Sequence, residues 1–292
     1  MPKISIITVT KNNLVGLKLS HASLFLQDFC DYEWIVIDGG SHDGSLEFLI
    51  QVQKTLPRTQ IFSGSDSGIY QAMNRGIELS SSRYLLFLNA GDALADNRVL
   101  SEFTGQKFKA TFIYGNCLVA SSRSLRRFEF PAKLNLKFLL INYICHQATF
   151  MDRNAFVSLG NYDESFQFAG DHEFFIRAWT SKQFDYLYWP RVVACLDVGG
   201  ISNKRENALK IQFERGRVIR RYLINLQHGI LALRAFMYRL YRMKTNRQFA
   251  WASLLPLKFL FQDFLQLDID FNRNKISIKS YFPLSRVGSK PS

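Results

Sequence analysis

A chain of 292 residues, 47% hydrophobic and 21% charged, has an ordinary globular composition and is long enough to bury a full core, which excludes wholesale disorder. Its four cysteines (Cys30, Cys117, Cys145, Cys195) show no CxxC spacing, so neither a zinc site nor a disulfide framework is expected and a reducing compartment is the simplest reading. The net charge of +13 is unevenly placed: the first 202 residues carry 19 basic and 19 acidic side chains, the remainder 18 and 5. That division implies a neutral body (1–202) and a basic extension (203–292) suited to an anionic surface. The opening apolar run ends at Lys11, unlike a signal peptide, and no uninterrupted apolar stretch of about 18 residues predicts a membrane span.

The first half alternates short β-rich runs with helical stretches, as a doubly wound α/β sheet does. Residues 4–9 (ISIITV) read as a buried strand, and Asn12 and Asn13 offer caps for a helix carrying Leu17, Leu24 and Leu26. A second strand over 33–38 runs into Gly39 and Gly40, and Asp43 is placed to cap the next helix. A short third strand (60–62), a helix over 68–79 and a strongly apolar fourth strand (84–88) follow. Each strand leads at its carboxyl end into polar residues: Thr10, Asp38, Asp66 and the Asn89-Ala90-Gly91-Asp92 stretch. In open α/β sheets that edge is where ligands bind.

The second part (112–202) lacks clean alternation. Residues 112–114 and 117–120 read as a hairpin around Gly115-Asn116, 173–180 as a helix, and 186–189 and 192–196 as two strands separated by Pro190. The stretch 199–202 reads as a loop able to close over a ligand. Beyond residue 203 one helical face carries Ile219, Leu223, Leu226, Ile230, Leu233, Met237 and Leu240, flanked by arginines, and an aromatic patch over 249–265 fits an element lying on lipid. No internal repeat or low-complexity tract is present.

Asp92, at a strand end over the crevice, suits a hard divalent cation that also touches phosphate oxygens. Asp38 and the glycines beside it allow backbone to approach a base or ribose, Asp66 stands at the mouth of a helix, and Arg75 offers a counter-charge to a diphosphate. Neither a GxGxxG fingerprint nor a GxxxxGK[ST] loop occurs, so dinucleotide and P-loop readings have no sequence support.

Five ordered stretches carry a resemblance: SIITVTKNN (5–13), VIDGGSHDG (36–44), DSGIYQAMNRG (66–76), FLNAGD (87–92) and GDHEFFIR (170–177). Together they are similar to family 2 glycosyltransferases, in particular the bacterial polysaccharide enzymes, over about residues 1–202. The resemblance implies a GT-A-type nucleotide-sugar-binding mixed sheet flanked by helices, here followed by a basic helical C-terminal extension. It also implies a nucleotide-sugar donor, UDP-linked by family frequency, a divalent metal (Mg²⁺ or Mn²⁺) and inversion at the anomeric carbon. By motif match, Thr8, Thr10 and Asp38 line the nucleoside pocket with Asp66 and Asn74 close by. Asp92 takes the last position of the metal-binding Asp-x-Asp region, and Asp171 matches the catalytic base, with Glu173 as the fallback. His146-Gln147 resembles a segment that approaches the donor diphosphate, and Asn89 belongs to the same donor-binding set. The chain departs from many relatives in having Gly91 and Asn89 where a further acid is common.

These readings add up to an inverting, metal-dependent transferase acting on a lipid-linked glycan. It is expected in the cytoplasm, peripheral at the inner face of the plasma membrane and held to anionic lipid by its tail. A non-catalytic nucleotide-sugar sensor and a nucleic-acid binder using the basic tail are the alternatives. The clustered strand-end acids argue against nucleic acid.

Overall fold

Seven consecutive buried residues, Ile4–Thr10, form β1. It pairs in parallel with β2 (Tyr32–Asp38) on one side and β4 (Tyr84–Phe87) on the other, and β3 (Thr59–Ser63) extends the sheet beyond β2. Strands such as β1 and β2, buried along their whole length, are what a sheet covered on both faces requires. The covering helices α1 (Leu14–Phe25), α2 (Ser45–Thr55) and α3 (Ile69–Leu79) are the connections between these strands. The structure is a computed structural model that describes residues 3–56, 58–121, 124–197, 199–200, 205–223, 266–270 and 275–279.

Past β4 come β5 (Ala93–Leu94), α4 (Val99–Gly105), β6 (Phe112–Ser121), β7 (Ser124–Phe128) and α5 (Leu136–Ile141). A 3-10 turn (His146–Ala148), β8 (Thr149–Asp152), α6 (Arg153–Leu159), α7 (Gly170–Ser181) and β9 (Tyr186–Asp197) complete the sheet. Its order is β3-β2-β1-β4-β8-β6-β9-β5, with β7 paired to β6. β8 runs antiparallel to both neighbours, so a parallel half is continued by a mixed half within one sheet. The expected α/β mixed sheet flanked by helices is therefore present. Phe87, Phe156, Tyr162 and Phe174 pack edge-on and stacked beneath the junction of the two halves.

Two local expectations are overturned. Gly115-Asn116 is no hairpin turn: β6 runs straight through it, with a register shift against β9 at Tyr114, Asn116 and Cys117. A Cβ at Gly115 would stand 2.6 Å from the Arg191 carbonyl oxygen, so the glycine serves close strand approach at a bulge. Pro190 likewise does not separate two strands; β9 continues through it beside the same irregularity, where a missing N–H is tolerated.

The chain divides into two compact units, Met1–Ile211 and Gln212–Ser292. The helix α8 (Ala208–Leu223) spans that division, ending in Arg220 and Arg221. The second unit also holds an antiparallel hairpin, β10 (Gln266–Asp270) with β11 (Lys275–Lys279). The extension is thus not wholly helical: Leu267, Ile269, Ile276 and Ile278 alternate with polar residues at strand period. The rest of the expected helical face (Leu226 to Leu240) and the 249–265 aromatic patch lie outside the described residues. Among the described residues no helix is long and apolar enough to cross a membrane.

α3 is seated on β1 through Gly76, where a Cβ would lie 2.4 Å from Ile7 Cγ2. On helix propensity alone Gly76→Ala would add about 1 kcal/mol. The collision with a fully buried strand residue outweighs it, and urea denaturation is expected to show a net loss of about 1–3 kcal/mol.

Candidate active site

The site begins where three strands end level: Ser63 is paired with Asp38, and Asp38 with Thr10. Asp38 is fully buried, and its carboxylate accepts from the Ser41 hydroxyl, the Ser41 N–H (3.1 Å) and Ser63 Oγ (2.6 Å). These bonds fold the 39–44 loop over the strand ends. The Ser41 hydroxyl oxygen also accepts from Asn12 N–H (2.7 Å), and Asn12 Oδ1 accepts from His42 N–H (2.8 Å), so the first two loops are stitched together. Asn12 is left-handed (φ 49°), which asparagine tolerates better than most residues. A Cβ at Gly39 would fall 2.6 Å from Asp66 Oδ2 and 3.2 Å from Lys11 Cδ, so the bare backbone there leaves room for both side chains above the strand end. Thr10 adds a buried hydroxyl with no partner.

Three residues assigned to the donor pocket are placed elsewhere. Thr8 is fully buried under the crevice, its hydroxyl donating to the Leu88 carbonyl (2.7 Å) and accepting from Trp34 Nε1 (2.8 Å). Asn74 latches the loop after α6: Nδ2 donates to Tyr162 O (3.0 Å) and Glu164 Oε1 (2.9 Å), and Oδ1 accepts from Tyr162 N–H (2.9 Å). Arg75 is exposed, its guanidinium 5.4 Å from the ring centre of Phe62 on the edge strand β3. Glu173 is also spoken for, bonded at 3.0 Å to Arg177 Nη2, whose guanidinium in turn holds the carbonyls of Leu159 and Asn161.

The Asn89–Asp92 turn is held from α1. Ser20 Oγ donates to Asp92 O (2.7 Å) and accepts from Gly91 N–H (3.1 Å), while Asn13 Nδ2 donates to Ala90 O (3.0 Å). Asp92 is 7% exposed; Oδ2 accepts from Gln147 Nε2 (3.0 Å) and Oδ1 from Asp197 N–H (3.1 Å). Burial is the main cause that raises its carboxyl to about 6, and the neighbouring Asp197 charge adds to it; the Gln147 and Asp197 hydrogen bonds and His146 oppose. Gly91, at φ 108°, faces Asp197: a Cβ there would stand 3.3 Å from Asp197 Oδ2.

Asp171, in the first turn of α7, faces the same crevice from the other side. Oδ2 is 2.9 Å from His146 Nδ1, and Oδ1 accepts from His172 N–H (2.8 Å) and Tyr70 Oη (3.2 Å). Tyr70 reaches it because a Cβ at Gly170 would strike the tyrosine ring at 2.8 Å. Burial works to raise the Asp171 carboxyl, but the His146 hydrogen bond and charge, with the His172 N–H, hold it below the ordinary carboxylate range. The other imidazole nitrogen, Nε2, lies 3.4 Å from Asn89 Nδ2, and Asn89 Oδ1 is buried without a partner. One short turn thus touches both acids, Asp171 through His146 and Asp92 through Gln147.

Asp197, the Gln147 bond, Lys11 and Tyr70 escaped the sequence reading. Asp197 had a signal, since it ends a strand as Asp38 does; nothing local in sequence marks Tyr70.

A parallel half with polar loops at its carboxyl edge, continued by a mixed half in which β9 and α7 bring Asp197 and Asp171 to that edge, defines the GT-A class of glycosyltransferase. Solved structures share it. Staphylococcus aureus TarS (residues 1–349) superposes with a TM-score of 0.65 at 13% identity, over 89% of this chain and 79% of that one. The mannosyltransferase PcManGT from Pyrobaculum calidifontis, in complex with GDP-Man and Mn²⁺, gives 0.55 at 14%, over 90% and 74%. The chain belongs to Glycosyl transferase family 2, which matches residues 5–160. A PGL/p-HBAD biosynthesis glycosyltransferase of Mycobacterium bovis is 33% identical over 208 residues, 69% of this chain and 80% of that protein. A Campylobacter jejuni GalNAc(5)-diNAcBac-PP-undecaprenol beta-1,3-glucosyltransferase is 30% identical over 135 residues, 46% and 43% of the two chains.

An acid whose folded value is raised favours folding in its protonated form, and that advantage disappears as pH climbs through the folded value. In chelator, the stability of wild type relative to Asp92→Asn is therefore expected to fall by about 2–3 kcal/mol between pH 4 and pH 8, at 1.36 kcal/mol per pKa unit. Urea titrations across that range measure it.

Proposed function

We propose that this glycosyltransferase moves a sugar, with inversion, from a nucleotide-sugar donor (UDP-linked in the first instance) to a hydroxyl of a lipid-linked glycan in bacterial surface-polysaccharide assembly. The observation that carries the reading is the turn whose adjacent residues bond Asp92 and Asp171, because inverting transfer needs a leaving-group site beside a base. Support for the donor comes from the fold neighbours crystallised with UDP, UDP-GlcNAc or GDP-Man. The undecaprenol-linked substrate in the name of the Campylobacter relative supports the acceptor class.

In this mechanism Thr10, Asp38, Asp66 and Lys11 frame the nucleoside end, and the unpartnered Asn89 Oδ1 accepts a donor hydroxyl. Asp171 takes the proton of the acceptor hydroxyl as that oxygen bonds to the anomeric carbon. The bond from that carbon to the diphosphate breaks with its electrons, and the nucleoside diphosphate leaves. Asp92 and Asp197 would hold a Mg²⁺ or Mn²⁺ ion. A nine-tenths buried carboxylate beside a second one is an arrangement that a hard cation relieves, and such ions take one or two carboxylates and complete their shells with phosphate and water. Among the described residues no three His, Cys, Asp or Glu side chains form a cage, in keeping with a site that leaves room for diphosphate. When bound, the ion offsets charge developing on the leaving group.

The same proposal takes 1–202 as the catalytic body and 203–292 as a basic extension that lies on anionic lipid at the cytoplasmic face of the membrane. Lys210, Arg215, Arg217, Arg220 and Arg221 supply five of its charges on α8 alone.

Purified chain incubated with Mn²⁺, a panel of nucleotide sugars and a polyprenyl-diphosphate glycan is the direct test. Asp171→Asn is expected to bind nucleotide as wild type does while transfer falls by about 10²–10⁴-fold; undiminished transfer would remove it as base. Asp92→Ala is expected to abolish the metal dependence of nucleotide binding in calorimetry, and binding that responds to Mn²⁺ as before would remove it as ligand. Deleting 203–292 is expected to cut recovery on anionic vesicles several-fold, checked against a folded circular-dichroism spectrum.

A further inference from the structure

The resemblance assigns His146 to the donor diphosphate, yet both nitrogens of the imidazole already face protein groups. Its Nδ1 is 2.9 Å from Asp171 Oδ2, its Nε2 is opposite Asn89 Nδ2, and its ring stands edge-on to Phe87. The side chain is 12% exposed and Asp171 13%, so the contact is shielded from water, where a hydrogen bond between an imidazole and a carboxylate is strongest. An Nδ1–H that donates to Asp171 leaves Nε2 facing the asparagine amide.

We infer that His146 is a positioning residue for the Asp171 base: it aims the carboxylate into the crevice and keeps it ionised, and it does not bind the donor. The inference rests on the proposal that Asp171 is the base. As Asp171 takes the acceptor proton, His146 keeps its own Nδ1 proton, and the carboxylate becomes a neutral acid as the nucleoside diphosphate leaves. The logic is that of a buried Asp–His pair with the roles exchanged, the carboxylate reacting and the imidazole orienting.

The groups facing the pair are few. Tyr70 on α3 and the His172 N–H face Asp171 Oδ1, the Tyr162 ring lies near the carboxylate, and Asp92 faces His146 from the 89–92 turn. Burial dominates Tyr70 and Tyr162 and drives both hydroxyls far above their ordinary range, so neither ionises in the working range of pH. Of the side chains that oppose burial at Asp171, His146 acts most strongly and is the one hydrogen-bonded to the carboxylate, with the His172 ring adding a smaller effect.

The test is the pH dependence of kcat in the full chain for two variants with different geometry. His146→Gln places its amide where Nε2 was and leaves Asp171 Oδ2 without a donor. Burial then dominates, and the acid limb of kcat is expected to move up by about one pH unit, with kcat down about 10–100-fold and donor KM within about twofold of wild type. His146→Asn places an N–H close to the Nδ1 position and is expected to recover part of both losses. A His146→Gln variant with raised donor KM and an unmoved limb would make His146 a donor ligand. Equal effects of Gln and Asn with no change in the limb would make it a space filler, and either result overturns the inference. Asp171→Asn, measured alongside, separates the two proposals: if it retains turnover, the base assignment fails; if it is inactive while the His146→Gln limb is unmoved, only the positioning role fails.

Discussion

The site depends on a constraint of three residues. A 3-10 turn between α5 and β8 presents an imidazole and an amide from adjacent positions, and each grips a different buried carboxylate. Neither acid is placed by its own element alone: Asp92 sits on a turn pinned by α1, and Asp171 on α7 against Tyr70. The turn sets their separation. Its rigidity comes from the antiparallel half of the sheet, since β8 is hydrogen-bonded on both sides to β4 and β6.

Burial alone would treat the two carboxylates alike, raising both. They diverge because of what each accepts from. Asp92 receives two neutral N–H donors and faces another acid, so desolvation wins and it stays raised to about 6. Asp171 receives an imidazole, and the His146 hydrogen bond and charge together with the His172 N–H and ring outweigh burial and hold it low. Opposed environments for neighbouring acids are how one pocket separates roles at a single pH. Here the two acids, reached from one short turn, are held on opposite sides of their ordinary value.

Much of this was legible in the residues. β1, β2 and β4 show as runs rich in apolar residues that lead into polar loops, because strands covered on both faces bury nearly every side chain, and the polar ones inside them, such as Ser5 and Thr8, are hydrogen-bonded. Asn13 was readable as a cap, and it does accept from Gly16 N–H. The mixed half read poorly because Gly115 and Pro190, normally punctuation, sit opposite one another at a single bulge between β6 and β9. Motif position also misplaced side chains whose bonds are long-range. Thr8 is spent on Trp34 and Leu88, and Asn74 on a loop 88 residues away. No local pattern distinguishes a polar residue that faces a ligand from one that staples the chain.

Gly91 shows where the acid missing from the familiar motif has gone. Its backbone turn excludes a side chain, and the space that one would fill lies against the Asp197 carboxylate, which arrives from a strand 105 positions later than Asp92. Asp92 therefore depends for one of its hydrogen bonds on the last residue of β9, and a chain cut before that strand loses both the Asp197 carboxylate and the N–H from which Asp92 Oδ1 accepts.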